Sequence, residues 1–203
     1  MRILSFFLHI LVFTLLTILS QVGGVIYLLS IVIIKKSKAK YILKRLGVFL
    51  CIYLVCNQII IPFTAPIFGR EKIKETNHIE AATIWTTLLN RNYVKPRLNE
   101  LLLQISNRLE KKYSGIKVIY LDANFPFYDD FPLPPHLSHK DGKKIDLSFI
   151  YKNNENNLVN IKPSVSGYGV FTEPQQEDEN TSEKCISEGN WQYGMAKDST
   201  PQS

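Results

Sequence analysis

Cysteine and histidine are scarce in this sequence of 203 residues, and acidic residues are absent from its first 70 positions. The three cysteines form no Cys-x-x-Cys pair, which excludes a zinc ribbon and a dithiol redox site; they are Cys51, Cys56 and Cys185. Cys51 and Cys56 lie in an apolar run, and we interpret them as small buried hydrophobic residues. A metal site would therefore have to use the four histidines and the acidic residues.

The basic residues are concentrated at the amino-terminal end of the chain. Residues 1–70 carry eight basic side chains and no Asp or Glu, whereas the other 133 residues carry 16 basic and 18 acidic side chains. The net charge of +6 is therefore the sum of +8 in residues 1–70 and −2 in the rest of the chain. A nucleic-acid partner would need basic residues clustered on the remaining domain, so we expect no nucleic acid among the partners.

Two long apolar runs within residues 1–70 predict a membrane anchor with two transmembrane helices. The first run covers about residues 3–34. We favour one tilted helix over a hairpin broken at Gly23-Gly24, because residues 25–34 alone are too short to cross a hydrocarbon core of about 30 Å. The second run covers about residues 46–68, and the lipid bilayer is the expected partner of both.

Six positive charges between the two runs predict the orientation of the chain. They are Lys35, Lys36, Lys38, Lys40, Lys44 and Arg45. Short loops rich in Lys and Arg stay on the cytoplasmic side, so we expect the amino terminus and everything after residue 70 to face outward. The expected location is the cell membrane, with a multi-pass anchor and an extracytoplasmic carboxyl-terminal domain.

Residues 71–203 predict a small extracytoplasmic α+β domain with two helices and an antiparallel sheet. Apolar periodicity and caps predict helices from Asn77 to about Asn90 and over about 97–112, and strands over 116–121, 144–152 and 158–161. In the alternating segment 144–152, Ile145, Leu147, Phe149 and Tyr151 are expected to face a core, with Asp146 and Ser148 on the polar side. The polar segment 175–190 is expected to be flexible.

The segment with the most chemical information is His136-Leu-Ser-His139-Lys-Asp-Gly142-Lys-Lys-Ile-Asp146-Leu. Imidazole and carboxylate are the ligands of hydrolytic zinc sites that keep one position open for water. A glycine turn lets His139 and Asp146 meet at one ion, whereas on a continuous strand residues seven apart face opposite sides. His139 and Asp146 are therefore the candidate metal ligands and zinc the expected cofactor. A polar turn with incidental histidines remains the alternative.

His136 is the candidate catalytic residue. It could complete the coordination of the metal, orient a ligand or donate a proton. Three residues before His139 on an extended, proline-stiffened segment, its side chain is expected to point to the opposite face unless the backbone bends at Leu137-Ser138. His9 and His78 are expected to be hydrogen-bonded or solvated, and Asp129-Asp130 to be solvated loop acids.

At these residues the sequence resembles the zinc peptidase superfamily of lysostaphin-type enzymes, D-alanyl-D-alanine peptidases and hedgehog amino-terminal domains. The pattern His-x-Ser-His-x-x-Gly-x-x-x-Asp-Leu is closest to penicillin-insensitive murein endopeptidases and D-Ala-D-Ala carboxypeptidases, and it covers residues 132–151. The resemblance implies a small α+β fold, an outward location and zinc-dependent cleavage of peptidoglycan peptide cross-links. It also implies that His139 and Asp146 are two of the zinc ligands.

The resemblance is incomplete at the third ligand. The superfamily takes that ligand, and usually a further catalytic histidine, from a carboxyl-terminal His-x-His, whereas this sequence has no histidine after His139. We therefore expect truncation relative to the superfamily, different ligation or lost activity, and feeble hydrolysis of murein peptides or none. The function predicted first is a membrane-anchored zinc metallopeptidase. The alternatives are a non-catalytic cell-wall binding or assembly protein and a purely structural two-span protein.

Overall fold

The computed structural model describes residues 2–35, 40–162, 164–168 and 187. The chain divides into two compact units, residues 1–147 and residues 148–203. Helix and sheet are both present, which confirms the mixed fold class. The predicted boundary at residue 70 lies inside the first unit, so the apolar helices and the candidate metal ligands belong to the same compact body.

The first apolar run forms two helices, so the prediction of one long helix over residues 3–34 is wrong. Helix α1 covers Arg2–Ser20 and helix α2 covers Gly23–Ile33. Gln21 lies between them with a φ of 66°, in the left-handed region, where an α-helix cannot continue. The chain therefore turns at Gln21, just before the glycine pair.

Helix α2 packs back along α1 at very short distance. A Cβ atom on Gly24 would lie 2.0 Å from Thr17 Oγ1 and 2.6 Å from the carbonyl oxygen of Phe13. Further along, His9 Nδ1 lies 2.5 Å from the hydroxyl of Tyr27. Residue numbers thus rise on α2 as they fall on α1, so the two helices are antiparallel. The sequence suggested a chain breaker at the glycines, but they form the contact surface of a helical hairpin.

The hairpin changes the expected position of the amino terminus. The start of α1 lies at the same end of the hairpin as Ile34, where the basic segment begins. Arg45, the last of the six basic residues, donates a hydrogen bond to the carbonyl oxygen of Ile34 at 3.0 Å. The prediction that the amino terminus and the basic segment lie on opposite sides depended on a single first span, which the hairpin replaces.

A continuous helical stretch follows over residues 41–68, and we call it the last span. It comprises α3 (Tyr41–Val55), a π-helical turn (Cys56–Ile60), α4 (Ile61–Thr64) and a 3₁₀ turn (Ala65–Phe68). The last span and Ile3–Ser20 are long and apolar enough to cross a membrane, whereas α2 is shorter. Among the described residues, two candidate spans are therefore present, as predicted from length and composition.

The two cysteines of the last span differ in their surroundings. Cys51 is exposed on the outer face of the apolar helix, so the prediction that it is buried is wrong. Cys56 is half-buried. Cys185 lies outside the described residues.

Short strands form three two-stranded sheets in the described residues. In the first unit, β1 (Glu71–Lys72) pairs antiparallel with β3 (Tyr93–Val94), and β2 (Ile79–Ala81) pairs parallel with β4 (Val118–Tyr120). In the second unit, β5 (Tyr151–Lys152) pairs antiparallel with β6 (Leu158–Val159), as predicted for a returning strand. The prediction of an antiparallel sheet is therefore correct for two of the three pairs and wrong for β2 and β4.

The helix predicted from Asn77 to Asn90 is wrong in its first half. Ile79 and Ala81 belong to β2, where they pair with Val118 and Tyr120. Tertiary pairing next to the core overrides the local capping pattern, since Ile79 becomes completely buried. Only a short helix remains in this segment, α5 (Ile84–Leu88).

The second predicted helix is confirmed and supports the core. Helix α6 covers Pro96–Lys112, beginning with a proline at its first turn, where a missing N–H costs no hydrogen bond. Basic residues in its last turn suit the helix dipole. The core that it covers contains Ile73, Ile79, Val94, Leu102, Val118, Tyr120 and Ala123.

The strand predicted over 144–152 forms only at its end, in β5. Ile145 packs against the core as expected, but Leu147 and Phe149 are exposed. The chain here forms single backbone contacts with the end of β4 instead of a ladder, among them a bridge between Leu147 and Tyr120. Apart from residue 187, the predicted flexible segment 175–190 lies outside the described residues.

Candidate metal centre

One buried arginine holds the loop that leads to the motif. The Arg70 side chain is 1% exposed and donates hydrogen bonds to four backbone carbonyl groups, those of Phe125, Phe127, Tyr128 and Lys140. It also forms an ion pair with Asp129, with an N–O distance of 2.6 Å. Arg70 lies two residues after the last span. Its bonds therefore attach residues 125–129 and Lys140, which lie on either side of His136 in sequence, to the end of that span.

The backbone bends between the two histidines of the motif. The amide of His139 donates to the carbonyl oxygen of His136 at 2.9 Å, and the amide of Leu137 donates to that of Pro135 at 3.1 Å. The expected extended segment is therefore replaced by a turn. The bend at Leu137-Ser138, which was the stated exception to an outward-pointing His136, brings both rings to one side, with centroids 5.5 Å apart.

Gly142 forms the turn between His139 and Asp146. Its φ is 74°, a left-handed conformation that favours glycine. Its amide donates to Asn124 Oδ1 at 3.1 Å, and its carbonyl accepts from the Lys95 amide at 2.8 Å. The turn is thus fixed on both sides by the folded domain.

Asp146 is held by backbone pairing with the segment that follows β4. Its amide donates to the carbonyl oxygen of Asp122, and its carbonyl accepts from the amide of Leu121, both at 2.8 Å. This pairing aligns Asp146 and Asp122 beside each other, although 23 residues separate them in sequence. This pairing therefore fixes the backbone of both acidic residues at the site.

The three motif side chains meet at one point. One ligand atom from each of His136, His139 and Asp146 lies within 4.8 Å of the other two. His139 Nε2 lies 3.1 Å from Asp146 Oδ1, and His136 Nδ1 lies 3.3 Å from Asp146 Oδ2. Nitrogen and oxygen ligands about 2.0–2.2 Å from one tetrahedral zinc ion lie roughly 3.3 Å apart. The two distances to Asp146 are close to this value but end on different carboxylate oxygens, so the three side chains would bind one ion after a small shift.

The hydrogen bonds of His139 fix its tautomer. His139 is 5% exposed, and its Nδ1 lies 2.8 Å from the carbonyl oxygen of Ala123. A carbonyl oxygen only accepts hydrogen bonds, so Nδ1 carries the proton and Nε2 of the neutral ring presents a lone pair. A backbone carbonyl on the second nitrogen is the usual support of a metal-binding histidine. The donor set and its orientation fit a divalent metal.

Asp122 is a fourth group at the site, and it was not among the residues predicted from the sequence. Its carboxylate is 10% exposed; Oδ2 accepts from Arg91 at 2.6 Å and lies 3.9 Å from His136 Nε2. Oδ1 is buried without a hydrogen-bond partner among the described residues. Burial raises the pKa of the Asp122 carboxyl, and the charges of Arg91 and His136 oppose this rise. An acidic residue directly after the predicted strand 116–121 is the signal that would have identified it.

The other sequence candidates lie away from this centre. His9 contacts Tyr27, and His78 faces Glu110 with an Nδ1–Oε2 distance of 3.3 Å. Both are thus hydrogen-bonded or paired, as expected. Asp129 and Asp130 are exposed acids as predicted, but both also form ion pairs, with Arg70 and Lys140 respectively.

Comparison of the chain with family models, with curated proteins and with solved structures finds no match. The resemblance to zinc murein peptidases therefore depends on residues 132–151 alone and stays a prediction.

Proposed function

We propose that this protein is a membrane-anchored zinc hydrolase that acts on the peptide cross-links of peptidoglycan. The observation that supports it best is the convergence of His136, His139 and Asp146 on one point, with the Nδ1 atom of His139 already bonded to a backbone carbonyl. A bound zinc would lower the pKa of a coordinated water and polarise a peptide carbonyl. The choice of peptidoglycan follows from the resemblance of residues 132–151.

His136 takes the third ligand position in this proposal. In the superfamily that the motif resembles, that ligand comes from a carboxyl-terminal His-x-His. Here the turn at Leu137-Ser138 supplies an imidazole from within the motif itself. The expectation of feeble hydrolysis rested in part on His136 facing away, and that part no longer holds.

Asp122 orients His136 in this proposal. The two ring nitrogens of His136 face different carboxylates, Nδ1 towards Asp146 and Nε2 towards Asp122. A metal shared with Asp146 would take the lone pair of Nδ1, and the negative charge of Asp122, 3.9 Å from Nε2, favours the proton on that nitrogen. Arg91 holds the Asp122 carboxylate in place and also donates to the carbonyl oxygen of Pro134, two residues before His136.

The proposed location is the cell membrane, with the metal centre on the outer side. The helical hairpin places the start of α1 and the basic segment at one end, and the rule for Lys and Arg assigns that end to the cytoplasm. A periplasmic reporter enzyme fused after Ser203 should be active, and the same enzyme fused before Met1 should be inactive. Activity of the amino-terminal fusion alone would reverse the proposed orientation.

The hydrolase proposal is tested with the purified full chain in detergent, zinc and cross-linked muropeptides. Chromatography of the products should show cleavage of cross-links that Asp146→Ala abolishes and that His78→Ala leaves unchanged. Zinc binding with no cleavage of any cross-link would contradict the hydrolase proposal.

A non-catalytic wall-binding protein is the second candidate. The observation in its favour is that the sequence has four histidines and only His136 and His139 lie at the site, both as candidate ligands. No third imidazole is then left at the described site for proton transfer. Retention of the chain on purified peptidoglycan without cleavage would support this candidate.

A further inference from the structure

The short helix α5 exposes two large apolar side chains while the rest of it is firmly held. Ile84 and Trp85 are 67% and 65% exposed. The next residue, Thr86, is buried and donates a hydrogen bond to the carbonyl oxygen of Leu121 at 2.8 Å. The exposure of the apolar pair is therefore a fixed feature of the fold.

Helix α5 is bonded directly to the last span. The hydroxyl of Tyr53 donates to the carbonyl oxygen of Leu88 at 2.7 Å. Asn57 Nδ2 lies 3.1 Å from the carbonyl oxygens of both Thr87 and Leu88. Ile84 and Leu88 share one helix face because they are four residues apart. Ile84 and Trp85 thus lie about one turn of α5 away from the contact between α5 and the last span, which we propose to cross the membrane.

A second chain of hydrogen bonds gives the height of α5 along the membrane helices. Asn57 donates to Asn90 Oδ1 at 2.7 Å, and Asn90 donates to the carbonyl oxygen of Ser20 at 3.3 Å. Helix α1 rises about 26 Å from Ile3 to Ser20, at 1.5 Å per residue. The hydrocarbon core of a bilayer is about 30 Å thick. With the start of α1 at the inner surface, the end of α1 and the attached α5 reach the outer edge of the core.

The last span continues the apolar surface beyond this height. On one of its sides, Ile61 and Ala65 are buried in a cluster with Tyr93 of the domain. Its other side exposes Ile59, Ile60, Phe63 and Ile67. The apolar surface of the last span therefore extends above the level of α5.

We propose that α5 is an interfacial anchor, with Ile84 and Trp85 inserted into the outer leaflet of the membrane that the chain crosses. Tryptophan is enriched at this level of membrane proteins because its ring is apolar and its N–H is polar. The domain then rests on the bilayer through a third contact, besides α1 and the last span. This inference depends on the proposed membrane crossing.

Trp85 is itself the probe, because the chain has only two tryptophans, Trp85 and Trp191. The full-length Trp191→Phe variant is reconstituted into bilayers with and without phospholipids brominated on their acyl chains. Trp85 should lose most of its emission in the brominated bilayers and be little affected by iodide in the water. Emission that iodide quenches and bromine leaves unchanged would overturn the proposal. Protection from both quenchers would place Trp85 against protein, such as a second copy of the chain, and would also overturn it.

A matched variant separates this proposal from the membrane crossing itself. Leu50 is exposed on α3, so Leu50→Trp in a background without Trp85 and Trp191 reports on the last span alone. Strong bromine quenching of this variant is expected. If Leu50→Trp is quenched and Trp85 is not, only the interfacial anchor fails. If neither is quenched, the proposed membrane crossing fails as well.

Discussion

His139 Nε2 lies 3.1 Å from Asp146 Oδ1, while Nδ1 of the same ring is bonded to the carbonyl oxygen of Ala123. In the neutral ring this arrangement points a lone pair at a carboxylate oxygen, and the two repel each other. A divalent cation bound by both atoms removes that repulsion. The pair is therefore suited to holding a metal ion.

Asp122→Asn should weaken zinc binding without unfolding the protein. The amide keeps the shape of the side chain but removes the charge that faces His136 Nε2 and Arg91. Loss of a group that orients a metal ligand typically costs about 10- to 100-fold in metal affinity. Competition with a chromogenic chelator measures the change, and Asp141→Asn, at the nearby turn, is the control that should bind as the wild type does. An unchanged zinc affinity of Asp122→Asn would show that Asp122 does not orient the metal ligands.

Gly142→Ala should lower both stability and zinc affinity. A Cβ atom there would meet Lys95 Cγ at 3.1 Å and Arg70 Nε at 3.2 Å, in addition to the left-handed backbone. The backbone conformation alone costs about 1–2 kcal/mol for an alanine.

Gly115→Ala is the matched control for this prediction. Gly115 has a φ of 83°, but a Cβ atom there meets nothing within 4 Å. We expect it to lower the melting temperature and leave zinc affinity unchanged. Equal zinc affinities for the two variants would show that the turn does not position the ligands.

The ion pair between Arg70 and Asp129 should give stability that depends on pH. The hydrogen bond from Arg70 holds the pKa of the Asp129 carboxyl below its ordinary value. A carboxyl with a lowered folded-state pKa stabilises the fold above its unfolded pKa of about 3.9, and this contribution is lost as the pH falls through the folded value. The wild type should therefore melt above Asp129→Asn at pH 6, and the difference should close below about pH 4.

Asp130→Asn is the comparison for the same measurement. Asp130 is paired with Lys140 at the surface, where an ion pair contributes little. Its difference from the wild type should be smaller at pH 6. A difference for Asp129→Asn that stays constant down to acid pH would show that the charge of Asp129 is not what stabilises the loop.

The sequence predicted best those elements whose pattern is decided locally. Helix α6 and the strand around Val118 lie where apolar spacing and breakers indicated them. The hairpin of α1 and α2 was considered and rejected because residues 25–34 are too short to cross a hydrocarbon core of about 30 Å. The packing of the two glycines depends on the close approach of Gly24 to Thr17, a contact that no local sequence pattern specifies.

At the candidate site, too, locally determined features were predicted and long-range contacts were not. His139 and Asp146 were identified from ligand type and the glycine between them. The orientation of His136 depends on a turn held by the bond from the His139 amide to the His136 carbonyl, so spacing alone gave the opposite face. Asp122 arrives through backbone pairing with Asp146, a contact between distant parts of the chain.

The most direct test of the metal centre is a zinc titration of the purified full chain in detergent, by isothermal calorimetry. We predict one ion per chain, with binding strongly weakened by His136→Ala and by His139→Ala. His78→Ala, which removes an imidazole outside the site, should bind as the wild type does. Equal effects of all three substitutions, or a wild-type chain that takes up no zinc, would contradict the claim that these residues form a metal centre.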